Sequence, residues 1–272
     1  MRTPFLICSA AAFSVCCGAC ALAANPAETP ANPEAPHQEK PLVNPYTAPA
    51  VEDIFQQLED LKPLPFELLK RDFPQASHAS REQTGLIFGG MIADGFLIVE
   101  CEKKALVEEL GRVLLRQARS LGVADRVIRH SASLTDLGKQ GDWPAMHREL
   151  NTTQQDVEQA MTELRDEKMA HLISLGGWLR GLEISSGAVE ANYSPDRARG
   201  LWQRDIIHYY DEELKTLPPA VAEMPIFQKV RVGVDAIKVL LDKAPPDDMS
   251  LGDVKALHAQ AHELNVAIAQ TP

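Results

Sequence analysis

Two apolar stretches decide the fold: LIFGGMIADG at residues 86–95 and LISLGGWLRG at residues 172–181. Each places a Gly-Gly pair inside a run that is apolar on nearly every side of a helix. Glycine in a helix interior costs about 0.5 to 1 kcal/mol relative to alanine, so the pairs need a compensating reason, and close approach of two helix backbones supplies it. We therefore predict two central helices that touch through their glycines, namely Gly89, Gly90, Gly176 and Gly177.

Ionisable residues interrupt both stretches. Asp94 lies in the first, Arg180 lies in the second, and His171 and Glu183 flank the second. Because such residues are rare in helices that face lipid, the pattern favours a soluble bundle over a membrane pair. Ionisable groups in buried helices must be paired or neutralised. We predict an ion pair between Asp94 and Arg180 across the central helices, and a second between Arg180 and Glu183 on one helix face.

The rest of the folded region continues the helical pattern, with no run of alternating β-branched residues bounded by hairpin turn signals. The expected fold class is all-α, a single bundle of about eight substantial helices. Ser80 and Gln83 form a predicted capping box, while Gly122 and Gly138 are predicted helix ends. A duplicated helical hairpin and a superhelical repeat are the alternatives. The predicted helices cover residues 51–61, 64–73, 81–100, 101–121, 124–137, 143–168, 169–189, 195–217, 225–243 and 250–270.

Residues 1–23 have the features of a secretory signal peptide. Arg2 provides a positive charge, residues 5–19 are uncharged, and Ala21-Leu22-Ala23 matches the cleavage pattern. We expect a periplasmic or secreted product that keeps Cys101 as its single thiol and has no stable membrane span. The alternatives fit less well: a lipoprotein needs an aliphatic residue three places before its cysteine, and an uncleaved anchor needs an apolar run of about 20 residues.

Composition divides the remaining chain. Residues 24–50 are rich in proline among small and polar residues, which predicts a disordered tether, and the helical domain is predicted to span 51–272. The formal net charge of −11 argues against binding to a nucleic-acid backbone, which requires clustered Lys and Arg.

Three short motifs resemble a family of uncharacterised exported all-helical proteins of Gram-negative bacteria, many of them lipoproteins. These are the helix with Gly90 and Asp94 four apart, the helix end at Leu121-Gly122, and GGWLRGL at 176–182. The resemblance extends from Gln83 to Tyr193 and implies a helical, exported protein. It implies no site, because the family has no assigned activity.

The candidate ligand-binding residues surround the central helices. A pocket lined by two tryptophans, with Arg180 receiving an anion, is one reading, and structural ion pairing is the other. No serine-hydrolase motif is present, and Glu100 and Glu102 oppose thiolate formation at Cys101. The candidate set is Asp94, Trp178, Arg180, Glu183 and Trp202.

No metal site or cofactor is predicted. His258 and His262 lie four apart, a spacing that can hold a metal ion, but no third ligand is evident. The sequence favours a non-enzymatic periplasmic protein that binds a protein or small-molecule partner in a groove between helices. The alternative is an enzyme of unrecognised type that uses polar residues around Gly176-Gly177-Trp178.

Overall fold

The computed structural model describes residues 51–73, 80–245 and 248–270, with side chains from Gln56 onward. The predicted signal peptide and tether lie outside the described residues. Within the described part the chain is helical and has no strands, as the sequence predicts, and eight helices have twelve residues or more. The helices are α1 (Val51–Asp60), α2 (Phe66–Leu69), α3 (Arg81–Glu100), α4 (Lys104–Leu121), α5 (Ala124–Gln140), α6 (Trp143–Glu163), α7 (Glu167–Ala191), α8 (Pro195–Arg199), α9 (Arg204–Lys215), α10 (Pro219–Ala222), α11 (Pro225–Lys243) and α12 (Leu251–Ala269).

Local signals explain several helix ends. Gly122 ends α4 with a φ of 80°, the left-handed conformation that glycine adopts without strain. Gly138 does not end α5; it lies inside the helix, where a Cβ atom would come within 2.8 Å of Val107. The helix continues to Gln140, and Gly141, with a φ of 72°, ends it instead.

Two long predicted helices are interrupted in the structure. The helix predicted over 143–168 ends at Glu163, and Asp166 caps α7 by accepting a hydrogen bond from the Met169 amide. The helix predicted over 195–217 is divided into α8 and α9.

The capping box predicted at α3 is half present. The Ser80 hydroxyl accepts a hydrogen bond from the Gln83 amide at 3.1 Å. The Gln83 side chain donates instead to the carbonyls of Ile268 and Gln270, at 2.9 and 3.1 Å, and so satisfies the end of α12.

The centre of the bundle is the contact between α3 and α7, which run in the same direction. Helices α4, α5 and α6 pack on one side of this pair, and α12 packs along α7 with α11 and α9 outside it. Helix α3 is the one helix in the described part of the chain that is long and apolar enough to cross a membrane, and 94% of its most apolar window is buried. Its apolar character therefore matches its place at the centre of the core.

Two of the four central glycines make the close contact, which confirms the prediction for Gly89 and Gly176. A Cβ atom on Gly89 would lie 1.8 Å from the Ile173 carbonyl oxygen, and one on Gly176 would lie 2.0 Å from the Leu86 oxygen. No side chain fits at such separations. The equivalent distance for Gly177 is 3.4 Å, an ordinary contact with the Gly89 carbonyl oxygen. We call the Gly89 and Gly176 pair the glycine contact.

Candidate ligand-binding site

Three charged side chains meet in the core near the middle of α3 and α7. Asp94, Arg180 and Glu183 are 4%, 2% and 6% exposed. Arg180 Nε donates to Asp94 Oδ1 at 2.7 Å, so the predicted ion pair between the central helices is confirmed. Arg180 Nη2 donates to the carbonyl oxygen of Leu69, at 2.5 Å, which also connects α2 to the core.

The pair between Arg180 and Glu183 is also confirmed, but it is of a different kind. Arg180 Nη1 lies 2.8 Å from Glu183 Oε2, and no hydrogen bond between the two groups is assigned among the described residues. We treat it as a Coulombic contact. Burial by itself lowers the pKa of Arg180, but Asp94 and Glu183 more than offset this and raise the pKa above its usual value.

The buried charges continue to the surface at both ends. Arg71, just after α2, donates from Nε to Asp94 Oδ2 at 2.9 Å. At the other end, His262 of α12 places Nδ1 2.7 Å from Glu183 Oε1. We call these residues, Arg71, Asp94, Arg180, Glu183 and His262, the charge network. Sequence reasoning missed Arg71 and considered His262 only as a possible metal ligand with His258. Neither residue lies in the two apolar stretches, where a charged side chain is conspicuous.

The Arg71 end of the network opens into a cleft of about 440 Å³ between α2, α3 and α4. This volume is in the range of small-molecule sites. We call it the Arg71 cleft. Its apolar lining consists of Phe66, Phe73, Leu97, Ile98 and Leu106, and its charged lining consists of Lys70, Arg71, Asp72, Asp94 and Glu109.

The second glycine of the first Gly-Gly pair makes room for Arg71. A Cβ atom on Gly90 would lie 2.9 Å from Arg71 Nη2 but 3.6 Å from the nearest backbone atom of α7, the Gly176 oxygen. Gly90 lies against the α7 backbone, as predicted, but its closest neighbour is the guanidinium group. The glycine therefore leaves room for the Arg71 side chain, which lines the cleft.

The two predicted tryptophans lie away from this cleft. Trp178 is buried against Tyr210, with ring centroids 5.6 Å apart, and its Nε1 donates to Gln203 Oε1 at 2.6 Å. Trp202 Nε1 donates to the carbonyls of Leu241 and Ala244, at 3.1 and 3.2 Å. Of the five predicted ligand-binding residues, Asp94 alone is among the described residues that line the cleft.

A second polar cluster lies near the start of α7. His171 Nδ1 is 2.8 Å from the Tyr209 hydroxyl and 3.0 Å from Glu213 Oε2. Burial lowers the pKa of His171 despite the neighbouring Glu213 carboxylate. The adjoining cavity, lined by His171 and Glu213, is only about 10 Å³, so it has room for no more than a water molecule.

Burial and pairing account for two other groups that the sequence highlights. His258 and His262 each contact a different glutamate of α7, and His258 Nδ1 lies 2.7 Å from Glu190 Oε2. Within the described residues, no group of three or more His, Cys, Asp or Glu side chains is arranged to hold a metal ion. Cys101 is half-buried, and burial raises the pKa of its thiol.

Comparisons with models of protein families, with curated proteins and with solved structures found no match to this chain. The resemblance to exported helical proteins therefore stays a prediction. The function of the charge network and the Arg71 cleft rests on their own geometry.

Proposed function

We propose that this chain is a non-enzymatic binding protein of the periplasm and that its ligand occupies the Arg71 cleft. One observation carries the proposal: in a cleft lined by both apolar and charged residues, a guanidinium group is held in place by a buried carboxylate. Asp94 orients Arg71, and Arg180 in turn holds Asp94. Binding sites commonly combine an apolar lining with a small number of fixed polar groups.

The pairing of the polar residues supports binding more than catalysis. Both oxygens of Asp94 already accept hydrogen bonds from arginines, which suits an anchoring role better than proton transfer. The enzyme alternative relies on polar residues around Gly176-Gly177-Trp178. There, Trp178 is engaged by Gln203 and Arg180 by two carboxylates.

The N-terminal pattern supports a periplasmic location, because Ala21-Leu22-Ala23 follows an uncharged run. Mass analysis of the protein purified from its native envelope tests this part of the proposal. We expect a chain that begins at Ala24. Diacylglycerol on Cys16, Cys17 or Cys20, or an intact leader, would overturn it.

The proposed ligand site is tested with the uncharged apolar dye N-phenyl-1-naphthylamine, whose fluorescence rises in apolar surroundings. We expect saturable binding to the wild-type chain and loss of binding in Leu106→Trp, which fills the cleft from its half-buried wall. The matched control is Val232→Trp. Val232 is 71% exposed and lines a separate groove of about 630 Å³ between α11 and α12.

Circular dichroism melting first establishes that each variant is folded. Dye binding that survives Leu106→Trp and disappears in Val232→Trp would move the site to the other groove. An absence of saturable binding to the wild-type chain would contradict a site in either place.

A further inference from the structure

We call Arg71 and Asp94 the floor of the Arg71 cleft, and among the described residues this floor has more hydrogen-bond donors than acceptors for them. Asp94 is the acidic group there, and its two oxygens already accept from Arg71 Nε and Arg180 Nε, at 2.9 and 2.7 Å. The Nη1 and Nη2 groups of Arg71 donate to no acceptor among the residues that the structure describes. A ligand that reaches the floor therefore meets N–H donors that carry a positive charge.

The Arg71 guanidinium is fixed in orientation. Its Nε bond to Asp94 sets one edge, and Nη2 packs over Gly90, where any Cβ atom would come within 2.9 Å. The side chain is nevertheless 20% exposed, so it can be reached from the cleft. A fixed guanidinium with free Nη groups matches the geometry of an oxyanion such as a carboxylate.

The other charges of the lining restrict how much negative charge a ligand can carry. Lys70 adds a second positive group, and its pairing with Glu67 is exposed and therefore weak. Asp72 and Glu109 oppose it with two carboxylates. These three groups sum to one net negative charge, so a ligand with one negative charge at Arg71 meets less repulsion than a ligand with several.

The apolar lining indicates that the part of the ligand away from its charged group is apolar. Five apolar side chains form the walls around the charged floor, and the cleft has a volume of about 440 Å³. We propose that the Arg71 cleft binds an amphiphile with a single oxyanion head group, of which a medium-chain carboxylate is the simplest example. This inference rests on the proposed function and names the class of ligand.

Calorimetric titration of the full chain with compounds that share one tail and differ in head group tests the inference. Octanoate, octanol and octylamine supply negative, neutral and positive heads, and acetate supplies the head without the tail. We expect octanoate to bind about 10-fold or more tightly than octanol, the usual size of a charge-assisted hydrogen bond. Octylamine is expected to bind more weakly than octanol, and acetate is expected to show no saturation.

The variant Arg71→Gln separates the charge from the cleft. We expect it to weaken octanoate binding about 10-fold and to leave octanol binding unchanged. Lys229→Gln is the matched control, because it removes one positive charge at the groove between α11 and α12. If Arg71→Gln does not fold, Arg71→Lys, which keeps the charge and loses the planar fork, is expected to retain part of the preference for octanoate.

The outcomes separate the two proposals. Equal affinity for octanoate and octanol in the wild-type chain, or an unchanged preference in Arg71→Gln, would overturn the oxyanion assignment while the cleft remained a binding site. Failure of all three octyl compounds together with the neutral dye would overturn the proposed function itself. Loss of octanoate binding in Lys229→Gln alone would place the anion outside the cleft.

Discussion

Two neighbouring regions of the contact between α3 and α7 are built in opposite ways. At the glycine contact, the helix backbones come so close that no side chain fits. Less than two turns further along α3, Asp94 enters the same interface and meets Arg180 at 2.7 Å. One region depends on the absence of side chains and the other on a specific set of them, so a single interface can supply both close packing and a polar site.

The neighbouring residues Gly89 and Gly90 show how the change is made. Successive residues of an α-helix point about 100° apart, because each turn contains about 3.6 residues. Gly89 consequently faces the Ile173 carbonyl of α7, while Gly90 faces Arg71 Nη2 in the cleft. One Gly-Gly pair therefore serves the packing region and the candidate site.

The largest expected effect lies in the charged region. Asp94→Asn removes the carboxylate that two arginines share, and breaking a buried ion pair costs about 3 to 5 kcal/mol of unfolding free energy. Chemical denaturation measures the loss. Asp235→Asn is the matched control, because Asp235 pairs with Lys238 on the surface and should change stability by less than about 1 kcal/mol. If the two substitutions lowered the free energy of unfolding equally, Asp94 would contribute no more to stability than a surface ion pair does.

The glycine contact is tested by adding one methyl group at a time. Gly89→Ala and Gly176→Ala should each lower the free energy of unfolding by about 2 to 3 kcal/mol, because the new Cβ atom would meet a carbonyl oxygen. Gly177→Ala should keep the stability of the wild-type chain or raise it by up to about 1 kcal/mol. The distinguishing result is a loss of unfolding free energy in Gly176→Ala and no loss in Gly177→Ala. If Gly89→Ala left the unfolding free energy unchanged, it would contradict the close contact.

Glu158 of α6 offers a third arrangement: its carboxyl group is buried, accepts a hydrogen bond from Gln154 and pairs with no arginine among the described residues. The residue as a whole is partly exposed, but its carboxyl group is deep, and burial raises its pKa to about 7. The folded chain therefore binds this proton more tightly than the unfolded chain. The resulting stability is fully present at pH values below those at which carboxyl groups usually titrate. It is lost as the pH rises through about 7.

Replacement of Glu158 by Gln should remove this pH dependence. We expect Glu158→Gln to exceed the wild-type chain by about 2 kcal/mol of unfolding free energy at pH 8, a value reduced for partial exposure, and to match it near pH 4. Denaturant titrations at both pH values measure the difference. Exposed Glu108 on α4 supplies the control. Glu108→Gln should differ from the wild-type chain by the same unfolding free energy at both pH values. A constant difference between the two pH values would contradict the raised pKa.

The smallest effect is expected where the charge network reaches solvent. The side chain of His262 is 61% exposed, so its contact with Glu183 is screened by water. His262→Ala should change the free energy of unfolding by about 1 kcal/mol or less. His258→Ala, which removes the neighbouring contact with Glu190, serves for comparison. A loss as large as that of Asp94→Asn would mean that the energetic centre of the network lies at α12 and not at Arg180.

Helical periodicity and caps predict most of the secondary structure correctly, since these signals act over a few residues. The errors occur where a helix is broken or extended by packing. Gly138 resembles a helix end in sequence, but Val107 packs against it and the helix continues. The position of Gln83 predicts that its side chain caps the start of α3. The side chain instead donates to two carbonyl oxygens at the end of α12.

The sequence by itself determined the all-α class, the two central helices and the pairing of Asp94 with Arg180, because a buried charge in an apolar helix needs a partner and few were available. Only the tertiary structure decided which glycines touch, that Arg71 completes the site and that the tryptophans do not. These outcomes depend on the rotation of α3 about its axis and on segments distant in the chain. Sequence periodicity shows that a helix has a buried face, but it does not identify the atoms opposite that face.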